Sequence, residues 1–418
     1  MTDITDKNSG NDKNGKSNEG GKSGKLQPKL RFKGFTDAWE QRALGGLYKL
    51  NTERNGNQFK ANKTISISTM TFKPKGNGAD NNSLKTYKVL RLGDVAYEGH
   101  TNNEFAYGRF VLNDIGDGIM SPRFSCLRPL KVQNILFWKE YIHSELVMRN
   151  ILVRSTKKGT MMNELVPEDF LRNKIKVPSS REQECIGSLF RCFDSLIAAA
   201  ERKVLLLKKK KHAYLNHIFT QHLRFTGHTT PWQTKKLGDI YTKAGSGGTP
   251  STSIAKYYNG NIPFLSIADL HGRLIKTTQK MITEDGLLHS ATWIVPQGSI
   301  ALAMYASVGK VGILSRPMAT SQAFYNMVFT NDSTRNFIFT YLEEMDLQRK
   351  WEGLVSTGTQ RNLNAGKIQN LVIQIPECNE QKQIARFFQT LDFLIAAAER
   401  KVSLLKKKKQ AYLQRMFI

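Results

Sequence analysis

The chain has 418 residues, enough for two or three domains that each bury a core. Its 62 basic and 35 acidic residues leave a net charge of +27, which points to a polyanionic partner. No run of eighteen apolar residues and no apolar signal core occur, so no membrane span or secretory leader is expected, and four sparse cysteines, never in Cys-x-x-Cys, fit a reducing cytoplasm without a zinc site.

In chain order, residues 1–25 are Lys, Asn, Gly, Ser and Asp with almost nothing apolar, a composition that predicts a disordered tail. The tail contains Gly10-Asn-Asp-Lys-Asn-Gly15-Lys16-Ser17, which satisfies the pattern of a phosphate-binding loop. That chemistry needs a strand before the loop and a helix after it, so that backbone amides converge on phosphates. Neither flank is present here, and nucleotide binding is not expected.

Ordered sequence begins at Leu30-Arg-Phe-Lys-Gly-Phe35, followed by Trp39 and Leu44-Gly-Gly-Leu47. The same opening returns as Leu223-Arg-Phe-Thr-Gly-His228, Trp232 and Leu237-Gly-Asp-Ile240. Each opening leads into a mixed α/β region. Strands are predicted at 64–68, 89–97 and 124–128, with counterparts at 262–267, 293–304 and 324–329; Gly93-Asp-Val and Gly298-Ser-Ile mark matching turns into strands. Helices at 135–149 and 337–351 follow, then polar Gly-Thr loops (Gly159-Thr160 and Gly358-Thr359), then closing strands at 175–178 and 373–376 that end in Pro.

After each closing strand comes one long helix. Leu196-Ile-Ala-Ala-Ala-Glu-Arg-Lys-Val204 returns letter for letter as Leu394-Ile-Ala-Ala-Ala-Glu-Arg-Lys-Val402, so the chain is a tandem duplication. In the first copy an a/d seam of alternating steps of four and three runs through Ile186, Phe190, Phe193, Ile197, Ala200, Val204 and Leu207. The second copy gives Ile384, Phe388, Leu391, Ile395, Ala398, Val402 and Leu405. So narrow a stripe on so long a rod predicts that the copies pair with each other, rather than each lying on its own domain. A tandem repeat related by a two-fold places equivalent helices head to tail. Lys211 and Lys409 interrupt the seam and are expected to snorkel outward or mark its end. The flanking lysines 208–210 and 406–408 sweep round the helix and suit a solvated C-terminal half, a docking partner or DNA phosphates. Cys185 and Cys192 fit as small apolar fillers. The resulting segments are 1–25, 26–178, 179–222, 223–376 and 377–418.

The stretch Gly245-Ser-Gly-Gly-Thr-Pro-Ser251, then Tyr257-Tyr-Asn-Gly260 and Ile262-Pro-Phe-Leu-Ser266, resembles the opening of a target-recognition domain of the specificity subunits of Type I restriction–modification systems. The Glu182-Gln183 and Glu380-Gln381 helices resemble that family's repeated spacers. The likeness spans about Leu30 to Ile418. The first half has no Ser-Gly-Gly-Thr-Pro; Asn55-Gly-Asn57 and Lys60-Ala-Asn62 stand near its place, in keeping with a different recognition class.

The resemblance implies an α+β chain: two tandem mixed α/β target-recognition domains, separated by two long antiparallel coiled-coil helices in a pseudo-two-fold internal repeat. It implies double-stranded DNA as ligand, with each domain reading one half of a bipartite, asymmetric target. It implies two adenine methyltransferase subunits as partners, with motor-nuclease subunits joining through them. The chain itself would bind no cofactor; S-adenosylmethionine, ATP and magnesium belong to the partners. The sequence holds no Asn-Pro-Pro-Tyr-like loop, and His212, His217 and His222 step by five off one helical face, so neither methyl transfer nor a metal site is expected. The rival expectations are a stand-alone two-domain DNA-binding regulator and a coiled-coil scaffold without DNA.

Base reading needs donors and acceptors on rigid elements, and phosphate contacts need cations. The first-half candidates are Lys73, Lys75, Arg109, Arg123, Lys157 and Lys158. Those of the second half are Ser246, Gly247, Thr249, Tyr305, Lys310, Arg316, Gln322, Arg361 and Asn362, with the Gly247 segment read as a turn allowing close backbone approach to DNA or a partner. Tyr107 and Tyr325 are further candidates for packing on sugar.

Overall fold

The computed structural model describes residues 4–6, 28–355 and 362–417. It divides into two compact units, Met1–Ala200 with Lys401–Ile418, and Glu201–Arg400. Each long helix is therefore shared: Ser180–Phe219 and Cys378–Met416 each give one half to either unit.

The first unit is built on a four-stranded antiparallel sheet in the order Tyr48–Leu50, Ser125–Pro129, Val95–Glu98, Arg109–Leu112. Helices Ile135–His143 and Glu145–Ser155 cover it, and Phe110, Phe137, Trp138, Tyr141 and Phe170 fill the space between. The single helix predicted at 135–149 is broken at Ser144, which is extended; serine competes poorly for a helix interior. The run 89–97 divides into Lys88–Leu90 and Val95–Glu98, because Gly93 takes a φ of +87° that only glycine adopts freely. Strand 64–68 shortens to Ile65–Ser66. Within the expected tail, residues 4–6 form a strand antiparallel to Leu30–Phe32. The phosphate-loop pattern at Gly10–Ser17 lies outside the described residues.

The second unit repeats the sheet with one strand more: Lys243–Ser246, Phe324–Val328, Ile300–Ala303, Val311–Leu314 and a parallel edge, Leu274–Ile275. A smaller sheet of Lys280–Ile282, Tyr258–Leu265 and Ala319–Thr320 lies in the same unit. Helix Asp332–Leu347 packs Phe337, Phe339 and Leu342 into the core. The predicted strand 293–304 contracts to Ile300–Ala303, because Pro296 and Gly298 make a turn whose Gly298 N–H reaches Leu314 O at 2.8 Å. The Gly358-Thr359 loop falls outside the described residues.

The two units share one frame, and it is visible in their buried charges. In the first, Arg31 grips Glu182 with two bonds of 2.9 and 2.7 Å while the Trp39 indole N–H adds a third at 3.2 Å. In the second, Arg224 and Trp232 hold Glu380 in the same way at 3.0, 2.6 and 3.2 Å. The repeated opening thus docks onto the first turn of each long helix, and the glutamate of each Glu-Gln pair is the socket. A buried carboxylate persists only when its lone pairs are met, and here three donors meet them.

Helix pairing occurs within each unit and is antiparallel. In the first, Phe193 lies 5.4 Å from Tyr412 and Phe190 lies 5.8 Å from Phe417, ring to ring. In the second, Tyr214 meets Phe387 at 5.1 Å and Lys208 meets Glu399 at 2.6 Å. Pairing and lying on a domain are not alternatives: Ile186 and Phe190 enter the first domain core beside Met416 and Phe417, and Ile384, Phe388 and Leu391 enter the second beside Leu215 and Ile218. Ala200, Ile395 and Ala398 are buried; Ile197, Val204, Leu207, Val402 and Leu405 are half-buried.

The seam lysines depart from expectation. Neither snorkels outward. Lys211 bonds Asp392 at 2.6 Å and Glu343 at 2.9 Å, with its side chain 12% exposed. Lys409 bonds Glu140 and Asp194, both at 2.8 Å. In each unit a seam lysine ties the two helices to the domain's own helix, because the domain supplies a carboxylate that the seam pattern could not reveal. Cys192 is exposed rather than a filler, while Cys185 packs at the edge of the first core.

Candidate nucleic-acid interface

Matching backbone bonds bring three polar segments to one end of each central sheet. In the first unit, residues 121–124 form a turn closed by Phe124 N–H to Ser121 O at 3.2 Å, with Pro122 in its second position. The turn feeds directly into strand Ser125–Pro129. Beside it, strand Val95–Glu98 ends at Gly99, whose carbonyl accepts from Asn163 N–H at 2.9 Å. A Cβ on Gly99 would stand 1.8 Å from Asn163 O, so glycine is what lets the 160–163 loop close against the strand end. These segments enclose a cleft of about 790 Å³ lined by Asn77, His100, Ser121, Arg123, Asn163 and Glu164, among others.

The second unit repeats the arrangement. Phe324 N–H bonds Ser321 O at 3.2 Å, and Leu363 N–H bonds Met304 O at 3.0 Å at the end of strand Ile300–Ala303. The turn carries Gln322, whose side-chain oxygen accepts from the Thr249 hydroxyl. Tyr305 is exposed at the strand end, next to Ala306 at φ +57°, and Asn362 sits beside Leu363. Ser246 ends the adjoining strand; its carbonyl accepts from the Trp293 indole at 3.2 Å, with Lys243 4.6 Å over that ring. The second unit thus gathers Ser246, Thr249, Tyr305, Gln322 and Asn362, a neutral set of hydroxyls and amides.

Other candidates sit in different surroundings. Gly247 is buried, and its added Cβ would lie 2.1 Å from Thr320 O; its close approach is to its own chain, a correction to the turn inferred from sequence. Tyr325 is also buried, with its hydroxyl 2.9 Å from that of Tyr241. Arg109 is half-buried and bonded to Glu98 at 2.7 Å, and Lys310 is paired with Asp346 at 2.9 Å. Lys157 pairs at 3.4 Å with Glu164, which lines the first cleft, while Lys157 and Lys158 themselves are exposed and outside its lining. Lys73, Lys75 and Arg316 are exposed, but none lines the first-unit cleft. Tyr107 is half-buried and gives its carbonyl to the Tyr97 hydroxyl. Arg361 lies outside the described residues. Sequence reasoning missed His100, Asn77, Ser121 and Asn163. Superposing the repeat at Phe124 and Phe324 would have paired Ser121 with Ser321 and drawn attention to both turns.

Electrostatics separate the structural charges from the available ones. In the first unit Arg128 bonds Asp94 at 3.0 and 2.8 Å and Glu53 at 2.7 Å, while Arg91 takes Glu53 and Asp117. Burial raises the Asp94 carboxyl against the pull of Arg128, and pushes the neighbouring Cys126 thiol up to about 12. In the second unit a larger cleft of about 1290 Å³ lies along the helices, with Lys211, Arg273, Glu343 and Asp392 among its lining. Those charges neutralise one another: Arg273 bonds Asp392 at 3.3 Å and lies 4.2 Å over Phe339. Burial lowers Arg273 and raises Glu343.

Comparison with known proteins places this architecture. Residues 229–407 match the family described as the Type I restriction modification DNA specificity domain. The chain is 28% identical over 179 residues to the Type I restriction enzyme MjaIX specificity subunit of Methanocaldococcus jannaschii, covering 42% of this chain and 41% of that one. It is 27% identical over 238 residues to the EcoR124I/EcoR124II specificity subunit of Escherichia coli, covering 54% and 57%. The matched part therefore spans about half the length of these relatives. The fold is similar to that of the Type I restriction–modification S subunit from M. genitalium, at a TM-score of 0.58 and 13% identity over 94% of this chain and 99% of that one. The duplicated frame and the paired helices agree with these likenesses: residues 229–407 are similar to the Type I restriction modification DNA specificity domain, and the fold is similar to that of a solved S subunit.

Proposed function

We propose that the chain is the DNA-recognition subunit of such a system, reading a bipartite, asymmetric target in double-stranded DNA. Each unit reads one half-site, and the long helices set how many base pairs between them go unread. The observation that carries this reading is a repeated frame, with Arg31–Glu182–Trp39 matching Arg224–Glu380–Trp232, that presents two unlike polar edges in equivalent places. A symmetric frame suits two identical partners, and unlike edges suit an asymmetric target. The partners are two adenine methyltransferase subunits, with motor-nuclease subunits joining through them. In this reading the chain does no chemistry; S-adenosylmethionine serves the methyltransferases, and ATP with magnesium the motor. The net charge of +27 supports a ligand held largely through phosphates.

The test is a gel shift over a salt series, with and without the methyltransferase subunits. Tight binding only in their presence is expected, with log K falling linearly against log salt. A slope near zero rejects DNA recognition. Tight, sequence-specific binding by the chain alone rejects the partnered form of the proposal. Exchanging residues 223–376 for the domain of another specificity subunit is expected to change one half-site and leave the other.

A further inference from the structure

We propose that the turn of residues 121–124, and its counterpart at 321–324, is the base-reading element of each half: Arg123 reads a guanine in the first half-site, and Gln322 reads an adenine in the second. This rests on the DNA-recognition reading above. Four observations lead there. Both turns are closed by the same bond, Phe N–H to Ser O at 3.2 Å, and both open into an inner strand of their sheet. A side chain placed there is held by the rigid part of the domain, which base reading requires and a phosphate contact does not. Pro122 stiffens the first turn further. The turn sequences nevertheless differ, Ser-Pro-Arg-Phe against Ser-Gln-Ala-Phe, so the frame is kept while the chemistry it displays is not.

The third observation is which groups are spoken for. In the first unit Arg31, Arg91, Arg109 and Arg128 are all held by carboxylates at 2.6–2.9 Å. Arg123 is exposed and pairs with no carboxylate among the described residues; its one side-chain contact is Met161 Sδ at 3.9 Å. The cleft's own carboxylate, Glu164, is paired with Lys157. An unpaired planar guanidinium, on a rigid turn beside Ser121, Asn77 and Asn163, presents two parallel donors, and guanine presents the two matching acceptors, O6 and N7. The fourth observation concerns Gln322. The Thr249 hydroxyl donates to its oxygen, which fixes the amide and leaves its N–H groups and a second lone pair to face outward. One donor and one acceptor side by side match the N7 and N6 edge of adenine.

The experiment uses the full chain assembled with its methyltransferase subunits and a library of DNA duplexes randomised across both half-sites, with bound duplexes sequenced. The wild-type assembly is expected to require guanine at one position of the first half-site. Arg123→Ala and Arg123→Gln are expected to lower that preference roughly tenfold to a hundredfold, with the second half-site unchanged. Gln322→Ala is expected to relax one adenine of the second half-site and nothing in the first. Arg123 is exposed, so Arg123→Ala should melt within a few degrees of wild type. Should it not, Arg123→Lys serves instead: it keeps the charge and loses the planar fork, so general affinity is retained while guanine preference falls. A uniform loss of affinity with the consensus intact, or an unchanged guanine preference in both Arg123→Ala and Arg123→Lys, overturns the proposal and leaves DNA recognition standing. Failure of the wild-type assembly to enrich any sequence overturns the underlying reading.

Discussion

The two units carry the same charged anchors in different surroundings. Arg31 and Glu182 are 5% and 2% exposed, whereas in the second unit Arg224 is 19% exposed beside an equally buried Glu380. At the seam the balance reverses. There the helix carboxylate makes the difference: Asp392, the partner of Lys211, is 20% exposed and also holds Arg273, whereas Asp194, the partner of Lys409, is 47% exposed. The repeated residues thus form matching anchors in both units, while each variable domain decides how far each contact is withdrawn from water. Since removal of one partner from a buried pair strands the other charge, burial sets the penalty.

The largest effect tests that difference directly. Glu182→Ala leaves Arg31 buried and unpaired and is expected to cost about 3–5 kcal/mol, and Glu380→Ala distinctly less, because Arg224 can turn toward solvent. Urea denaturation of the two variants checks the order; equal losses would show that burial does not distinguish the anchors. Next in size is the seam. Lys211→Met takes the lysine from Glu343 while Arg273 still holds Asp392, and Lys409→Met takes it from Glu140 while water reaches Asp194; each is expected to cost about 2–4 kcal/mol.

A smaller effect separates the strand end from the frame. Gly99→Ala pushes a methyl into Asn163 O and is expected to cost about 1–3 kcal/mol while displacing the 160–163 loop. Selection from a randomised DNA library is then expected to blur the first half-site and leave the second sharp. The smallest effect is pH-dependent. Burial raises Glu343 above its ordinary 4.5, so it stays protonated more readily in the folded chain. Its contribution is full below the unfolded value and is lost as pH rises through the raised folded value. Stability measured upward from pH 4.5 should therefore fall less in Glu343→Gln than in wild type.

Much of the frame was legible because it is repeated. The opening motif, the Glu-Gln pair and the heptad steps each occur twice, and repetition distinguishes them from chance. The interface was far less legible. Arg123 and Gln322 were among many exposed donors, and nothing local marked them out from Lys73, Lys75 or Arg316. Arg109 and Lys310 looked equally available until Glu98 and Asp346 were found beside them. Gly247 carried a true signal, close backbone approach, but its object was Thr320 of the same chain.

Periodicity and duplication by themselves determined two long helices, an antiparallel pairing and two unlike domains, because these follow from local spacing and from one half matching the other. The tertiary structure alone decided where Lys211 and Lys409 point, since Glu343 and Glu140 come from domain helices more than a hundred residues away in sequence. It also decided which arginines are free, because a charge is available for recognition only when the fold supplies it no carboxylate. Charge pairing at long range is a property of three-dimensional proximity, and no pattern along the chain encodes it.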